Sequence, residues 1–123
     1  MKKKKLIVRT ETQKYPILIG SNLVSDTQKI IRENSINFKN CLLVIDKNVP
    51  SKMISKVKKS LKNKKVYTHF ISINEKNKNQ KTVDNILQIL LTKNFSRQDC
   101  LISIGGGITG DISGFAASLF KRG

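Results

Sequence analysis

The segment that most constrains this chain is its last third. An apolar run, Cys100 to Ile104, leads into Gly105-Gly106-Gly107-Ile108-Thr109-Gly110-Asp111, and the apolar, small-residue stretch Ile112 to Phe120 follows. Apolar strand, glycine-rich turn and helix, in that order, bring free backbone N–H groups and the positive end of a helix dipole to a phosphate. Gly105-x-Gly107-x-x-Gly110 satisfies the dinucleotide pattern G-x-G-x-x-G, with a strand before it and a helix expected from about Thr109. The competing reading is a tight strand-to-helix turn with no ligand.

The upstream segments decide the kind of sheet. Lys5 to Thr10 and Tyr15 to Gly20 are extended runs that read as a hairpin or adjacent strands, with Pro16 near a strand start, where proline is tolerated. Ser21 or Asn22 is placed to cap a helix over Leu23 to Glu33. Cys41 to Ile45 is continuously apolar and closed by Asp46, the pattern of a strand buried on both faces. Pro50 stands where a helix begins, and Met53, Ile54, Val57 and Leu61 recur at helical spacing behind it. Val66 to Ile73 is a further apolar strand. Val83, Ile86, Leu87, Leu90 and Leu91 form a stripe that predicts a helix from about Lys81 to Lys93. Asn34 to Asn40, Asn74 to Gln80 and Asn94 to Asp99 read as loops.

After the opening pair the order is strand, helix, strand, helix, strand, helix. That alternation predicts an α/β, Rossmann-like parallel sheet with flanking helices and right-handed crossovers. Ligands of such sheets bind outside the carboxyl ends of the strands. The glycine turn follows the third strand of the alternation, not the first, so this is no ordinary Rossmann fingerprint. An acidic ribose partner must come from an earlier loop, either Asp46, with Asn48 behind it, or Glu75. Taken singly, each of these also reads as a turn or capping residue.

Composition narrows the choice of partner. The chain has 123 residues, enough for one modest domain. Its net charge of +16 comes from 24 Lys+Arg against 8 Asp+Glu, which by itself suggests a polyanion. Lysine, however, far outnumbers arginine, the better bidentate residue, and aromatic interleaving is sparse. A solvated basic surface is favoured over a nucleic-acid role. No apolar run reaches the ~18 residues of a membrane span. Leu6-Ile7-Val8 is too short for a secretory core of about 7–15 residues, so a cytoplasmic location is expected. Cys41 and Cys100 are far apart in sequence and read as buried free thiols. The sole histidine, His69, lies in a strand away from any cluster with metal-ligand spacing.

With those residues in view, the chain resembles the N-terminal part of 3-dehydroquinate synthases. Gly105 to Ala117 is similar to the family's G-G-G-[VI]-x-G-D-x-x-G-F-x-A segment, and Arg122-Gly123 falls where the family carries Arg-Gly. Tyr15-Pro16-Ile17-x-Ile19-Gly20 is similar to its early strand, and Val44-x-Asp46-x-Asn48-Val49 to the end of its first nucleotide-binding strand. Glu75-x-x-Lys78 matches the spacing of a G-E-x-x-K loop, although Asn74 stands where glycine is usual. Thr109 stands where Val or Ile is common. The likeness runs from about Lys5 to Gly123.

The resemblance implies NAD- and metal-dependent conversion of 3-deoxy-arabino-heptulosonate 7-phosphate to 3-dehydroquinate and phosphate, in aromatic biosynthesis. It implies that Asp46 and Asn48 contact the adenosine end of NAD, and Glu75 and Lys78 its ribose and neighbouring groups. Gly106, Gly107, Ile108, Thr109, Gly110 and Asp111 frame the pyrophosphate and nicotinamide-ribose region, and Arg122 reaches the substrate phosphate across a subunit interface. For Arg122 a helix-terminal cation is an equal alternative. The resemblance places the zinc or cobalt ligands in a C-terminal helical domain, expected beyond the positions matched here. The chain is accordingly expected to be an incomplete nucleotide-binding domain, inactive alone, from an enzyme that is homodimeric when complete. An uncovered strand edge beside Cys100–Ile104 and an uncovered apolar helix face are expected as well. The nearest alternatives are a fragment of a related metal-dependent polyol or alcohol dehydrogenase, and a basic nucleic-acid-binding remnant. Neither membrane nor nucleic acid is an expected partner.

Overall fold

The computed structural model describes residues 4–9, 14–19, 23–33, 38–72 and 80–122. The expected cap at Ser21 or Asn22, the loop carrying Glu75 and Lys78, and the ends of the expected strands at Thr10, Gly20 and Ile73 lie outside those residues.

Strands β1 (Lys4–Arg9) and β2 (Lys14–Ile19) pair antiparallel, with Leu6 opposite Ile17. A 3-10 turn, Leu23–Asp26, runs into α1 (Thr27–Glu33). Then follow β3 (Asn40–Asp46), α2 (Ser51–Ser60), β4 (Lys65–Ile71), α3 (Gln80–Thr92), β5 (Cys100–Ile104) and α4 (Gly107–Arg122). The second sheet has the order β4-β3-β5, and both pairings are parallel. The expected Rossmann-like alternation is therefore present. Among the described residues β5 carries an unpaired outer edge.

The central strand separates two apolar layers. Leu42 and Val44 point to one face, where they meet Val83, Ile86 and Leu90 of α3 and Ile112 and Ala116 of α4. Cys41, Leu43 and Ile45 point to the other, against Ile54 and Val57 of α2, with Leu61 just beyond it. All five strand residues from Cys41 to Ile45 are wholly buried. Each helix contributes a narrower stripe than the sequence suggested. Met53 and Leu91 are 41% and 64% exposed, because each lies about 100° round the helix from the buried Ile54 or Leu90. Pro50 sits one residue outside α2, at its N-cap.

Two loop residues close this layer arrangement. Asn94, at φ 57°, ends α3 in the left-handed conformation. Asn94 N–H donates to Leu91 O at 3.2 Å and Phe95 N–H to Leu90 O at 2.9 Å, a Schellman arrangement that swings Phe95 onto the core. Phe95 there meets the Tyr67 ring at 5.7 Å. Asp99, in the same loop, joins the start of β5 to the start of β3. Its Oδ1 accepts from Lys39 N–H at 3.2 Å and Asn40 N–H at 3.0 Å, and its Oδ2 from Asn40 Nδ2 at 3.1 Å and Ser96 N–H at 2.9 Å.

Partial burial pushes the Asp99 carboxyl up, but the donors from Asn40, Ser96 and Lys39 together outweigh it and hold it down to about 2. A depressed carboxylate contributes stability above its unfolded value near pH 4, and that contribution is lost as pH falls through the folded value. Asp99→Asn is expected to cost about 1–3 kcal/mol at neutral pH. In urea unfolding, the gap between wild type and Asp99→Asn should narrow as pH falls from about 4 to about 2. A gap that is absent at neutral pH, or unchanged by acid, contradicts this account of the clamp.

Candidate functional site

The parallel register brings three strand ends to one edge. Asp46 closes β3 opposite Ile71, the last residue of β4, and Ile104 closes β5 beside Ile45. Lys47 N–H donates to Ile71 O at 3.0 Å, which ties the exits of β3 and β4 together. Asp46 organises the loop that follows. Its Oδ1 accepts from Asn48 N–H at 3.0 Å and its carbonyl from Val49 N–H at 3.0 Å. This aspartate-led turn keeps the carboxylate half-buried at the edge and leaves Asn48 exposed.

The glycine turn lies against Asp46. Gly105 has φ +155°, in a region that side chains rarely adopt. A Cβ there would stand 2.6 Å from Thr109 Oγ1 and 3.0 Å from Asp46 Cβ. Glycine at this position lets the end of β5, the first turn of α4 and Asp46 close on one another. The sequence reading placed Gly105 in the pattern but not among the binding residues. Its position immediately after the last strand residue is the signal that marks it.

Helix α4 begins at Gly107, two residues before the expected Thr109, and its first turn closes with Gly110 N–H on Gly106 O at 3.1 Å. The N–H groups of Gly107, Ile108 and Thr109 precede that bond and have no acceptor within the helix. Among the described residues, no atom beyond the adjoining residues and the helix's own backbone lies within 4 Å of where a Cβ at Gly106, Gly107 or Gly110 would stand. The turn is thus bare backbone with open space before it, beside a carboxylate.

The remaining candidates divide by position. Ile108 packs against the core between α3 and α4, and Asp111 is on the exposed side of α4. Thr109 is wholly buried beneath Gly105, main chain included. Among the described residues, Thr109 Oγ1, and Ser113 Oγ one turn on, are buried without a hydrogen-bond partner. Arg122 ends α4, about 22 Å from Gly107 at ~1.5 Å per helical residue, and is not brought to this edge. His69 lies on β4, and burial pushes its imidazole down from the ordinary value. Among the described residues no group of three or more His, Cys, Asp or Glu could hold a metal ion. Also among them, no helix is long and apolar enough to cross a membrane.

The close approach at Gly105 and the orphaned hydroxyl at Thr109 have opposite consequences for stability. Gly105→Ala should destabilise by more than about 1 kcal/mol, through the contact with Thr109 and the positive φ. Thr109→Val keeps the shape and removes an unpaired buried hydroxyl, and should stabilise by about 1 kcal/mol. Urea midpoints measure both, and an unchanged midpoint for Gly105→Ala would refute the close approach.

Comparison with known proteins fits this geometry. Residues 68–123 match the family described as 3-dehydroquinate synthase N-terminal. Over 119 residues, 97% of this chain, it is 56% identical to the 3-dehydroquinate synthase of Pelagibacter ubique and covers 32% of that protein. It is 35% identical over 126 residues to the 3-dehydroquinate synthase of Syntrophotalea carbinolica, covering 34% of it. The chain therefore spans about a third of the length of these curated relatives. Its fold matches 2-deoxy-scyllo-inosose synthase, solved in complex with carbaglucose-6-phosphate, NAD+ and Co2+. That likeness has a TM-score of 0.85 at 20% identity, over 98% of this chain and 32% of that one. From end to end the chain is thus similar to the N-terminal third of 3-dehydroquinate synthases.

Proposed function

We propose that this chain is the NAD-binding, N-terminal part of a 3-dehydroquinate synthase. The complete enzyme converts 3-deoxy-arabino-heptulosonate 7-phosphate, a phosphorylated sugar acid, to 3-dehydroquinate and phosphate. The observation that carries the reading is the bare glycine face at the N-terminus of α4, set beside the Asp46 carboxylate.

The two halves of that edge suit opposite ends of a nucleotide's chemistry. The N–H groups of Gly107 and Ile108, with the helix dipole behind them, attract a pyrophosphate, and the open space over Gly106, Gly107 and Gly110 lets it approach the backbone. A carboxylate only accepts hydrogen bonds, so Asp46 suits the donating hydroxyls of a ribose and repels phosphate. Asn48, on the same loop, adds an exposed amide toward the adenosine end. Asp111, on the exposed side of α4, borders the nicotinamide-ribose region. Bound NAD supplies a transient hydride acceptor, and the residues of this chain bind and orient it. Glu75 and Lys78 complete the ribose contacts, and Arg122 serves the substrate phosphate at a homodimer interface.

The catalytic divalent metal, zinc or cobalt, is assigned no ligand on this chain. The similar fold that binds NAD+ and Co2+ supports both cofactors for the complete enzyme. The free thiols of Cys41 and Cys100 accord with a cytoplasmic location.

Calorimetric titration with NAD tests the reading. One saturable site is expected, and Asp46→Asn, which keeps an acceptor for the Asn48 turn but loses the charge, should weaken binding about tenfold. The 123-residue chain by itself should form no dehydroquinate. Absence of NAD binding, with salt-sensitive binding of DNA or RNA in its place, overturns the proposal in favour of a basic binding module.

A further inference from the structure

The two cysteines that sequence separates are brought together by the fold. Cys41 of β3 and Cys100 of β5 are register partners in the parallel pair. Residues directly paired across a ladder present their side chains to the same face, and both thiols pack in the layer against α2. Neighbouring strands lie about 4.7–4.9 Å apart, within the Cα span of about 4.4–6.8 Å that a disulfide bridges. Both thiols are free.

They are not equivalent. Cys41 is wholly buried, whereas Cys100 opens the edge strand, is half-exposed and borders a cavity of about 300 Å³ shared with Arg97, Asp99, Phe120 and Lys121. Each thiol acts on the other's ionisation across the ladder. The neighbouring Cys100 thiol, burial and Asp99 push Cys41 up. The neighbouring Cys41 thiol, helped by the Lys121 ammonium, pulls Cys100 down against burial and Asp99. Exposure sets the order of reaction: Cys100 is the sulfur a dissolved oxidant meets first, and Cys41 stands behind it in the ladder.

We propose that Cys41 and Cys100 form a reversible dithiol modification site that a hydroperoxide converts to an intrachain disulfide. The Cys100 thiolate attacks one peroxide oxygen, the O–O bond breaks, and hydroxide leaves, which gives a sulfenic acid at Cys100. The Cys41 sulfur then attacks that sulfur. The S–S bond forms, the S–O bond breaks, and water departs with the Cys41 proton. The two thiols are oxidised by two electrons, and the peroxide is reduced. Bridging directly paired strand residues requires the Cβ atoms to approach closer than the ladder spacing, so the bond is strained and readily reduced.

The test treats the reduced chain with hydrogen peroxide, counts thiols in denaturant, records the intact mass and runs a non-reducing gel. Both thiols should disappear together, with the mass lower by two hydrogens, the chain monomeric on the gel, and dithiothreitol restoring both. In Cys41→Ser, dimedone should trap a sulfenic acid at Cys100. In Cys100→Ser, Cys41 should react about tenfold more slowly than Cys100 does in the wild type. Unreacted thiols, a covalent dimer, or Cys100 driven to sulfinic acid with Cys41 still reduced would each overturn the proposal. The wild-type readouts decide it even if a variant fails to fold.

Discussion

Strand β3 has an apolar layer on each face and a parallel neighbour on each edge, and this double enclosure dictates what its sequence can carry. Every side chain from Cys41 to Ile45 is removed from water, at about 1.5–3 kcal/mol for each large aliphatic one. No unpaired polar group is tolerable in that stretch, so polar chemistry is pushed to the ends. Asn40 stands at one end, held by Asp99, and Asp46 at the other. Because both neighbours run parallel to β3, their carboxyl ends arrive where Asp46 does. The site edge is thus a consequence of how the core is enclosed.

The junction of β5 with α4 depends on a different constraint, close backbone approach. Gly105 lies where any side chain would strike Thr109 and Asp46. Removing that obstruction brings the first turn of α4 against the β3 exit, and so sets donors for an anion beside an acceptor for hydroxyls. The same packing buries Thr109 and Ser113 on the inner face of α4 with their hydroxyls unpartnered. Natural sequences break local rules of this kind chiefly at strained or functional sites. Here two such hydroxyls lie on the first two turns of the helix that presents the bare glycines, and a third unpartnered atom, Gln28 Oε1, lies on α1.

Much of this arrangement was legible because periodicity and punctuation agreed. The apolar block closed by Asp46 read as a doubly buried strand, and Cys100–Ile104 matches β5 residue for residue. What sequence could not supply depended on register or on conformations with weak signals. Met53 and Leu91 looked like core because apolar residues adjoin the true stripes, and only packing against the sheet chose one face. Asn94 carries the helix-ending role usually given to glycine, so the turn that buries Phe95 was hidden. Asp99 read as a loop residue because its donors come from Lys39 and Asn40, distant in sequence. The adjacency of Cys41 and Cys100 is likewise a fact of β3–β5 register. Arg122, which likeness assigns to the substrate phosphate across a subunit interface, stands at the far end of α4 from the glycine turn.

The same strand pair therefore carries two unlike chemistries at opposite ends. From Cys41 to Asp46 is five strand steps, about 16 Å at ~3.3 Å each, and the ladder between them is apolar and fully paired on the β3 side. At the amino end, Asp99 ties β5 to β3 through charge-assisted hydrogen bonds, beside the paired Cys41 and Cys100. At the carboxyl end, beyond the Ile45–Ile104 pair, the strands lead into separate loops, where Gly105 leaves no room for a side chain beside Asp46. Stability is thus concentrated at one edge and ligand access at the other. A change at Asp99 lowers stability without altering the shape of the nucleotide edge, whereas a change at Gly105 alters that edge directly. Sites more than about 7–10 Å apart with no shared partner act additively on stability. Loss of NAD binding in Asp46→Asn with an unshifted urea midpoint is therefore a property of the carboxylate and not of the sheet that presents it.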